Sequence, residues 1–79
     1  MQISLFGDRM CSDPVYGQIA TQCCMEHDID FAVGGDEAAF HVANDKFLGC
    51  MLRWGVPRDV ALARWLALEE FGRGSFNFH

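Results

Sequence analysis

Apolar residues recur every three or four positions along most of this chain, which is the spacing of one face of an α-helix. The first such run begins after Gly17 and ends at Gly34-Gly35. Its members are Ile19, Ala20, Cys23, Cys24, His27 and Phe31. Because glycine readily adopts the left-handed conformation that ends helices, we predict a first helix of about four turns that stops there.

A second run predicts a helix that starts at Glu37 and is closed by Gly55. Asp36 precedes it and is a favoured N-cap residue. The apolar positions of this run are Ala39, Phe40, Ala43, Phe47, Cys50, Met51 and Trp54. Since only a short glycine-containing link separates the two runs, we expect the two helices to form an antiparallel hairpin.

The remaining sequence predicts a third helix and a short tail. The helix starts at Pro57, a good first-turn residue, and stops at Gly72-Arg73-Gly74. One face is predicted to carry Val60, Ala63, Leu66, Ala67 and Phe71. Residues 75–79 alternate like a short strand or an extended tail, and the first fifteen or so residues resemble a turn-rich loop. We expect the larger aromatic side chains to be core residues, namely Trp54, Trp65, Phe40, Phe47 and Phe71.

The fold class is therefore mainly α, and residues 1–79 are expected to form a single small helical domain. A chain of 79 residues buries a thin core, and its four cysteines are dense enough for disulfides to supplement it. Eleven acidic against six basic side chains give a formal charge of -5. This balance argues against direct nucleic-acid binding, which needs clustered lysine and arginine, and favours a basic protein partner. We expect a monomer.

The N-terminus lacks the basic start and the apolar stretch of a signal peptide, and no run approaches the length of a membrane span. We therefore expect a soluble protein. It would be extracellular if its disulfides form and cytoplasmic if its thiols stay reduced.

The chemistry of the chain concentrates in the segment Cys23-Cys24-Met25-Glu26-His27-Asp28. In an antiparallel hairpin, His27 lies about as far before the turn as Asp45 lies after it, so the two should reach similar heights. A carboxylate on one ring nitrogen fixes a histidine and leaves the other nitrogen free to accept a proton. Asp28 points roughly 100° away from His27 and is free to bind a hard cation through oxygen.

These residues resemble the secreted phospholipases A2 and their bacterial, plant and parvoviral relatives. The resemblance covers about Cys11 to Met51 and rests on two segments and Phe31. The segments are Cys23-Cys24-Met25-Glu26-His27-Asp28 and Asn44-Asp45-Lys46-Phe47-Leu48-Gly49-Cys50-Met51. The core of that family is an antiparallel helix pair tied by disulfides, so the resemblance implies this fold here.

The resemblance also implies an activity, namely calcium-dependent hydrolysis of a phospholipid acyl ester at a membrane surface. By this similarity His27 is the general base that activates water, Asp45 orients His27, and Asp28 is the carboxylate ligand of a catalytic calcium. Calcium would polarise the ester carbonyl and stabilise the oxyanion.

The same resemblance implies two disulfides, Cys23 with Cys50 and Cys11 with Cys24. Together they use all four cysteines.

Two departures from the family motivate other hypotheses. The family's calcium loop is glycine-rich, whereas residues 10–17 here are nearly free of glycine, with Gly17 alone, and Phe31 stands where the family usually has tyrosine. The first alternative is a non-catalytic small acidic interaction protein on the same scaffold, such as a phage-borne inhibitor of a bacterial defence complex (anti-CRISPR type).

Two further alternatives use the cysteines and histidines. In a thiol hydrolase-like protein, Cys11 would be the nucleophile and a histidine such as His79 its partner. In a zinc site, Cys24 and His27 would bind the metal with His41 or Cys50.

Overall fold

The computed structural model describes residues 17–79, with side chains from Thr21 onward. This part of the chain is mainly helical, as predicted. Helix α1 spans Gly17–Val33, α2 spans Glu37–Arg53, α3 spans Arg58–Phe71, and a 3-10 turn follows at Gly72–Ser75. No β-strand is present in these residues beyond an isolated bridge between Gly35 and Phe78.

Helices α1 and α2 form the antiparallel pair that the sequence predicts. Going along α1 from Cys23 to Phe31, the contacting residue on α2 moves backward from Cys50 to Phe40. Asp36 caps α2, since its side chain accepts a hydrogen bond from the backbone N–H of Ala39 at 3.0 Å. The predicted N-cap is confirmed. Helix α2 is central, because it packs against α1 on one side and α3 on the other.

A disulfide between Cys23 and Cys50 ties α1 to α2 far from their connecting turn. The two residues are 27 positions apart in sequence, and closing a loop of that length stabilises a fold by about 3 to 4 kcal/mol in the chain-entropy model. This is the pairing that the resemblance implies. Cys24 is also disulfide-bonded, and its expected partner Cys11 lies outside the described residues.

Of the aromatic residues predicted as core, Phe40 and Phe47 are buried, whereas Trp54 and Phe71 are exposed. Trp54 is 55% exposed at the C-cap of α2. Phe71 is 63% exposed at the end of α3. The prediction that these two are core residues is wrong. The buried members of the core are Cys23, Cys24, Phe31, Phe40, Ala43, Phe47, Cys50, Met51, Val56, Ala61, Leu68 and Phe76.

The predicted face of α3 is also corrected. The residues that α3 buries are Ala61 and Leu68, two helical turns apart, and Val60 packs beside them. Ala63 and Leu66 lie on the opposite side and are exposed. Both faces of α3 contain apolar residues three or four positions apart. The spacing alone could not distinguish them, and the prediction chose the exposed face.

The C-terminal tail caps the end of α1. The last carbonyl groups of a helix have no partner within the helix. Here Asn77 donates from its backbone to the carbonyl of Phe31 and from its side chain to that of Ala32, each at 3.1 Å. His79 Nε2 donates to the carbonyl of Val33 at 2.9 Å. The residues predicted as an extended tail thus supply the partners that α1 lacks.

Aromatic stacking holds the tail against the helices. Phe76 is buried and meets the rings of Phe31 and Phe40 edge-on, with centroid distances of 5.0 and 5.4 Å. Phe78 packs on both Phe76 and Phe40. Such pairs contribute about 0.5 to 1.5 kcal/mol each beyond the area they bury.

We predict that Gly34→Ala destabilises the fold more than Gly55→Ala. Both glycines have positive φ, +73° and +94°, which costs an alanine about 1 to 2 kcal/mol. A Cβ at Gly34 would also lie 1.8 Å from the carbonyl oxygen of Asn77, whereas one at Gly55 meets nothing within 4 Å. Urea unfolding measures the loss of unfolding free energy in each variant. The additional loss in Gly34→Ala reports the clash with the docked tail. Equal losses of stability would contradict this role of the tail.

Candidate functional site

His27, the predicted general base, lies in the interior of the helix pair. It is 2% exposed and is packed between two aromatic rings. Its ring centroid lies 4.2 Å from that of Phe31 and 4.8 Å from that of Phe47. The position follows from the spacing of α1, because Cys23, His27 and Phe31 share the face that α2 covers.

The side chain that holds His27 is Asn44. Its amide nitrogen donates to Glu69 Oε2 at 2.8 Å, and a carboxylate can only accept, so the orientation of the amide is determined. Asn44 Oδ1 therefore faces His27 Nε2, at 2.8 Å, and accepts a hydrogen bond from it. In the neutral imidazole the proton is on Nε2 and the lone pair is on Nδ1.

Burial lowers the pKa of His27 below its ordinary value of 6.5, since it disfavours the charged form. The hydrogen bond to Asn44 and the charges of Asp28 and Asp30 act in the opposite direction and are outweighed. His27 thus has the protonation state of a general base. The cleft beside it is nevertheless too narrow to admit a water molecule. A substrate ester reaches the imidazole through this cleft only if the cleft widens.

Asp45 does not hold His27, which corrects the predicted pairing. Its carboxylate accepts a hydrogen bond from Trp65 Nε1 on α3 at 3.1 Å, and within residues 17–79 no hydrogen bond joins it to His27. Successive helical residues point about 100° apart. When Asn44 faces α1, Asp45 is therefore turned toward α3 and solvent.

The described residues do not provide a complete set of ligands for either the calcium or the zinc hypothesis. Asp28 is partly exposed on α1, and residues 17–79 contain no group of three or more His, Cys, Asp or Glu side chains placed to hold a metal ion. Residues 10–16 of the expected calcium loop lie outside the described part. The zinc hypothesis is corrected, because Cys24 and Cys50 are both in disulfides.

The thiol hydrolase hypothesis depends on Cys11, which lies outside the described residues. Its suggested partner His79 is bonded to the carbonyl of Val33, where it caps α1.

A second histidine, His41, lies between two carboxylates at the surface. Nδ1 contacts Glu69 Oε1 and Nε2 contacts Glu37 Oε2, each at 2.8 Å. A carboxylate can only accept, so this arrangement favours the imidazolium, in which both nitrogens donate, and the hydrogen bond that His41 donates to Glu69 is the main cause that raises the pKa of His41. Arg73 binds both oxygens of Glu37 and is the main reason that the pKa of Glu37 falls to about 2.

These contacts form one continuous line of polar side chains. In order the members are His27, Asn44, Glu69, His41, Glu37 and Arg73. The line crosses α1, α2 and α3 and ends in the 3-10 turn. Sequence reasoning singled out His27 as a site residue and missed the role of Asn44. A signal for Asn44 was present, since it has the same helical spacing as Phe40, Phe47 and Met51 and is the polar residue on that apolar stripe.

No protein-family model matches this chain, and neither the curated proteins nor the solved structures contain a match to it. None of the helices in the described part is long and apolar enough to cross a membrane.

We predict that His27 and His41 titrate on opposite sides of pH 6.5. The lowered pKa of His27 means that the unfolded chain binds more protons, so its contribution to stability is present above 6.5 and is lost as pH falls through the folded pKa. The raised pKa of His41 has the reverse sign, so its contribution is present below 6.5 and is lost as pH rises. NMR titration of the ring ¹⁵N shifts measures both. Titration of both rings near 6.5 would show that His27 is open to solvent.

Proposed function

We propose that this chain is a non-catalytic interaction protein, a disulfide-tied helical scaffold that binds a basic protein partner. The observation that carries the proposal is the closure around His27. His27, whose pKa burial lowers, lies 2% exposed between Phe31 and Phe47, and the cleft beside it has no space for a water molecule. A general base must come within hydrogen-bond reach of the water it activates. The interior of the hairpin therefore supports a scaffold better than a reaction.

The charge distribution supports a basic partner. Helix α1 carries Glu26, Asp28 and Asp30 and contains no lysine or arginine. Glu26 is exposed, and Asp30 forms an ion pair with Lys46 of α2 at 3.1 Å. An acidic surface of this kind accelerates association with a basic protein and disfavours nucleic acid and anionic lipid.

A second candidate is calcium-dependent hydrolysis of a phospholipid acyl ester. One observation favours it: Asn44 of α2 accepts the hydrogen bond of His27 Nε2. Nδ1 is then the ring nitrogen that could accept a proton from water. In this function Asp28 would contribute a carboxylate to calcium, and calcium would polarise the ester carbonyl. The reaction requires the cleft beside His27 to open at a lipid surface.

A titration with fluorescently labelled oligolysine tests the interaction function. We expect saturable binding to the oxidised protein that weakens as salt is added, because exposed charges are screened. Glu26→Lys should weaken binding several-fold, whereas Glu70→Lys, which reverses an exposed charge on α3, should weaken it less. Equal effects of the two variants would mean that α1 does not determine binding.

An assay of fatty-acid release from phosphatidylcholine vesicles with calcium serves as the second arm. The interaction function predicts release no higher than from His27→Gln, a variant that keeps a hydrogen-bond donor for Asn44. Release that is abolished both by a chelator and by His27→Gln would overturn it in favour of the hydrolase.

A further inference from the structure

Helix α1 exposes a row of apolar side chains on the face away from the core. Met25, Ile29 and Val33 are spaced four residues apart and are 56%, 62% and 67% exposed. We call these three residues the α1 ridge. His27 and Phe31 on the inner face are buried, so α1 is apolar on both sides. A surface helix whose outer face is only solvated would carry polar residues at these positions.

A groove runs beside the α1 ridge along the seam between α1 and α2. Its wider part is a cavity of about 410 Å³ on the α2 side of the seam, lined by Glu26 of α1 and by Val42, Asp45, Lys46, Gly49 and Arg53 of α2. A second cavity of about 170 Å³ continues it toward Val33 of the ridge. Val42 and Lys46 line both cavities, so the two parts are continuous. Gly49 leaves the floor open, because a Cβ there would meet nothing within 4 Å.

Carboxylates border the ridge and the groove. Glu26 and Asp30 project from α1 on the groove side, and Asp45 lies across from them on α2. Two basic side chains, Lys46 and Arg53, also line the groove; Lys46 forms an ion pair with Asp30, and the three carboxylates outnumber the two cations. A second copy of this chain laid ridge against ridge would bring Glu26 and Asp30 close to their own copies, and like charges in contact disfavour such a dimer. An occupant with an apolar face and basic edges satisfies both features.

We propose that the α1 ridge and its groove bind an amphipathic basic helix of a partner protein. The inference rests on the proposed interaction function and specifies its partner. The apolar residues of the helix pack on Met25, Ile29 and Val33 and reach Val42 in the groove, while its lysine and arginine side chains pair with Glu26 and Asp45. Laying the apolar face of a helix into a groove between two helices is a recurrent mode of peptide recognition.

The test uses a synthetic peptide with leucine at positions i, i+3, i+4 and i+7 and lysine elsewhere, and a scrambled peptide of the same composition. We expect the amphipathic peptide to bind the oxidised protein at least about tenfold more tightly than the scrambled one, since only it presents a continuous apolar face. Ile29→Glu should weaken its binding by about tenfold or more. Leu66→Glu, at a position 50% exposed on α3, is the matched control and should leave binding unchanged.

Several outcomes overturn the inference. If both peptides bind equally and Ile29→Glu has no effect while oligolysine still binds, the ridge is not the docking face although the interaction function stands. If no cationic peptide binds at all, the interaction function fails as well. Concentration-dependent dimerisation in analytical ultracentrifugation that Ile29→Glu abolishes would assign the ridge to a second copy of the chain. Binding to phosphatidylcholine vesicles that Ile29→Glu abolishes would assign it to a membrane surface.

Discussion

The hydrogen bonds of the Asn44 side chain are the constraint on which the arrangement of the three helices depends. Its amide accepts a hydrogen bond from His27 on α1 and donates one to Glu69 on α3. One buried side chain of α2 therefore fixes the positions of both neighbouring helices. Hydrophobic contacts alone tolerate small shifts of one helix along another, whereas a buried donor left without its acceptor costs about 1 to 3 kcal/mol. In a chain of this size, with a thin core, that penalty selects one register.

The same arrangement explains why the chemistry of His27 is closed. Burial between the rings of Phe31 and Phe47 favours the neutral form of His27 and also excludes water, while the hydrogen bond to Asn44 fixes the position of the ring. The buried members of the line of polar side chains are neutral, and the charged members lie toward the surface, where His41 lies between Glu37 and Glu69. These titratable groups therefore serve the packing of the helices, whereas the exposed ridge of α1 takes no part in it.

Much of the fold could be predicted from local patterns. The spacing of Cys23, His27 and Phe31 and the position of Asp36 identified α1, α2 and the turn between them, because these features are set by neighbouring residues. The face of α3 was predicted wrongly since its exposed leucines give the same periodicity as its buried residues. The cap that Asn77 and His79 place on α1 could not be predicted, because it joins positions some 45 residues apart and involves no local spacing.

The sequence predicted correctly how far along α2 the partner of His27 lies, but it did not predict which side chain of α2 points toward α1. Counting residues from the turn places both Asn44 and Asp45 near His27, and only the direction around α2 separates them. The preference for a carboxylate partner came from the chemistry of a general base and was reinforced by the resemblance, whereas the apolar stripe of α2 points to Asn44. Which residue faces α1 is decided by the burial of Phe40, Phe47 and Met51 on the same stripe.

The most direct measurement is the stability of two adjacent alanine variants by urea unfolding. Asn44→Ala should lower the free energy of unfolding by about 2 to 4 kcal/mol, because it leaves a cavity and an unpaired His27 donor at a position with no exposed surface. Asp45→Ala removes an exposed carboxylate whose partner is Trp65 and should change the free energy by no more than about 0.5 kcal/mol. A larger loss for Asp45→Ala than for Asn44→Ala would contradict the account, because it would make Asp45 the residue that holds His27.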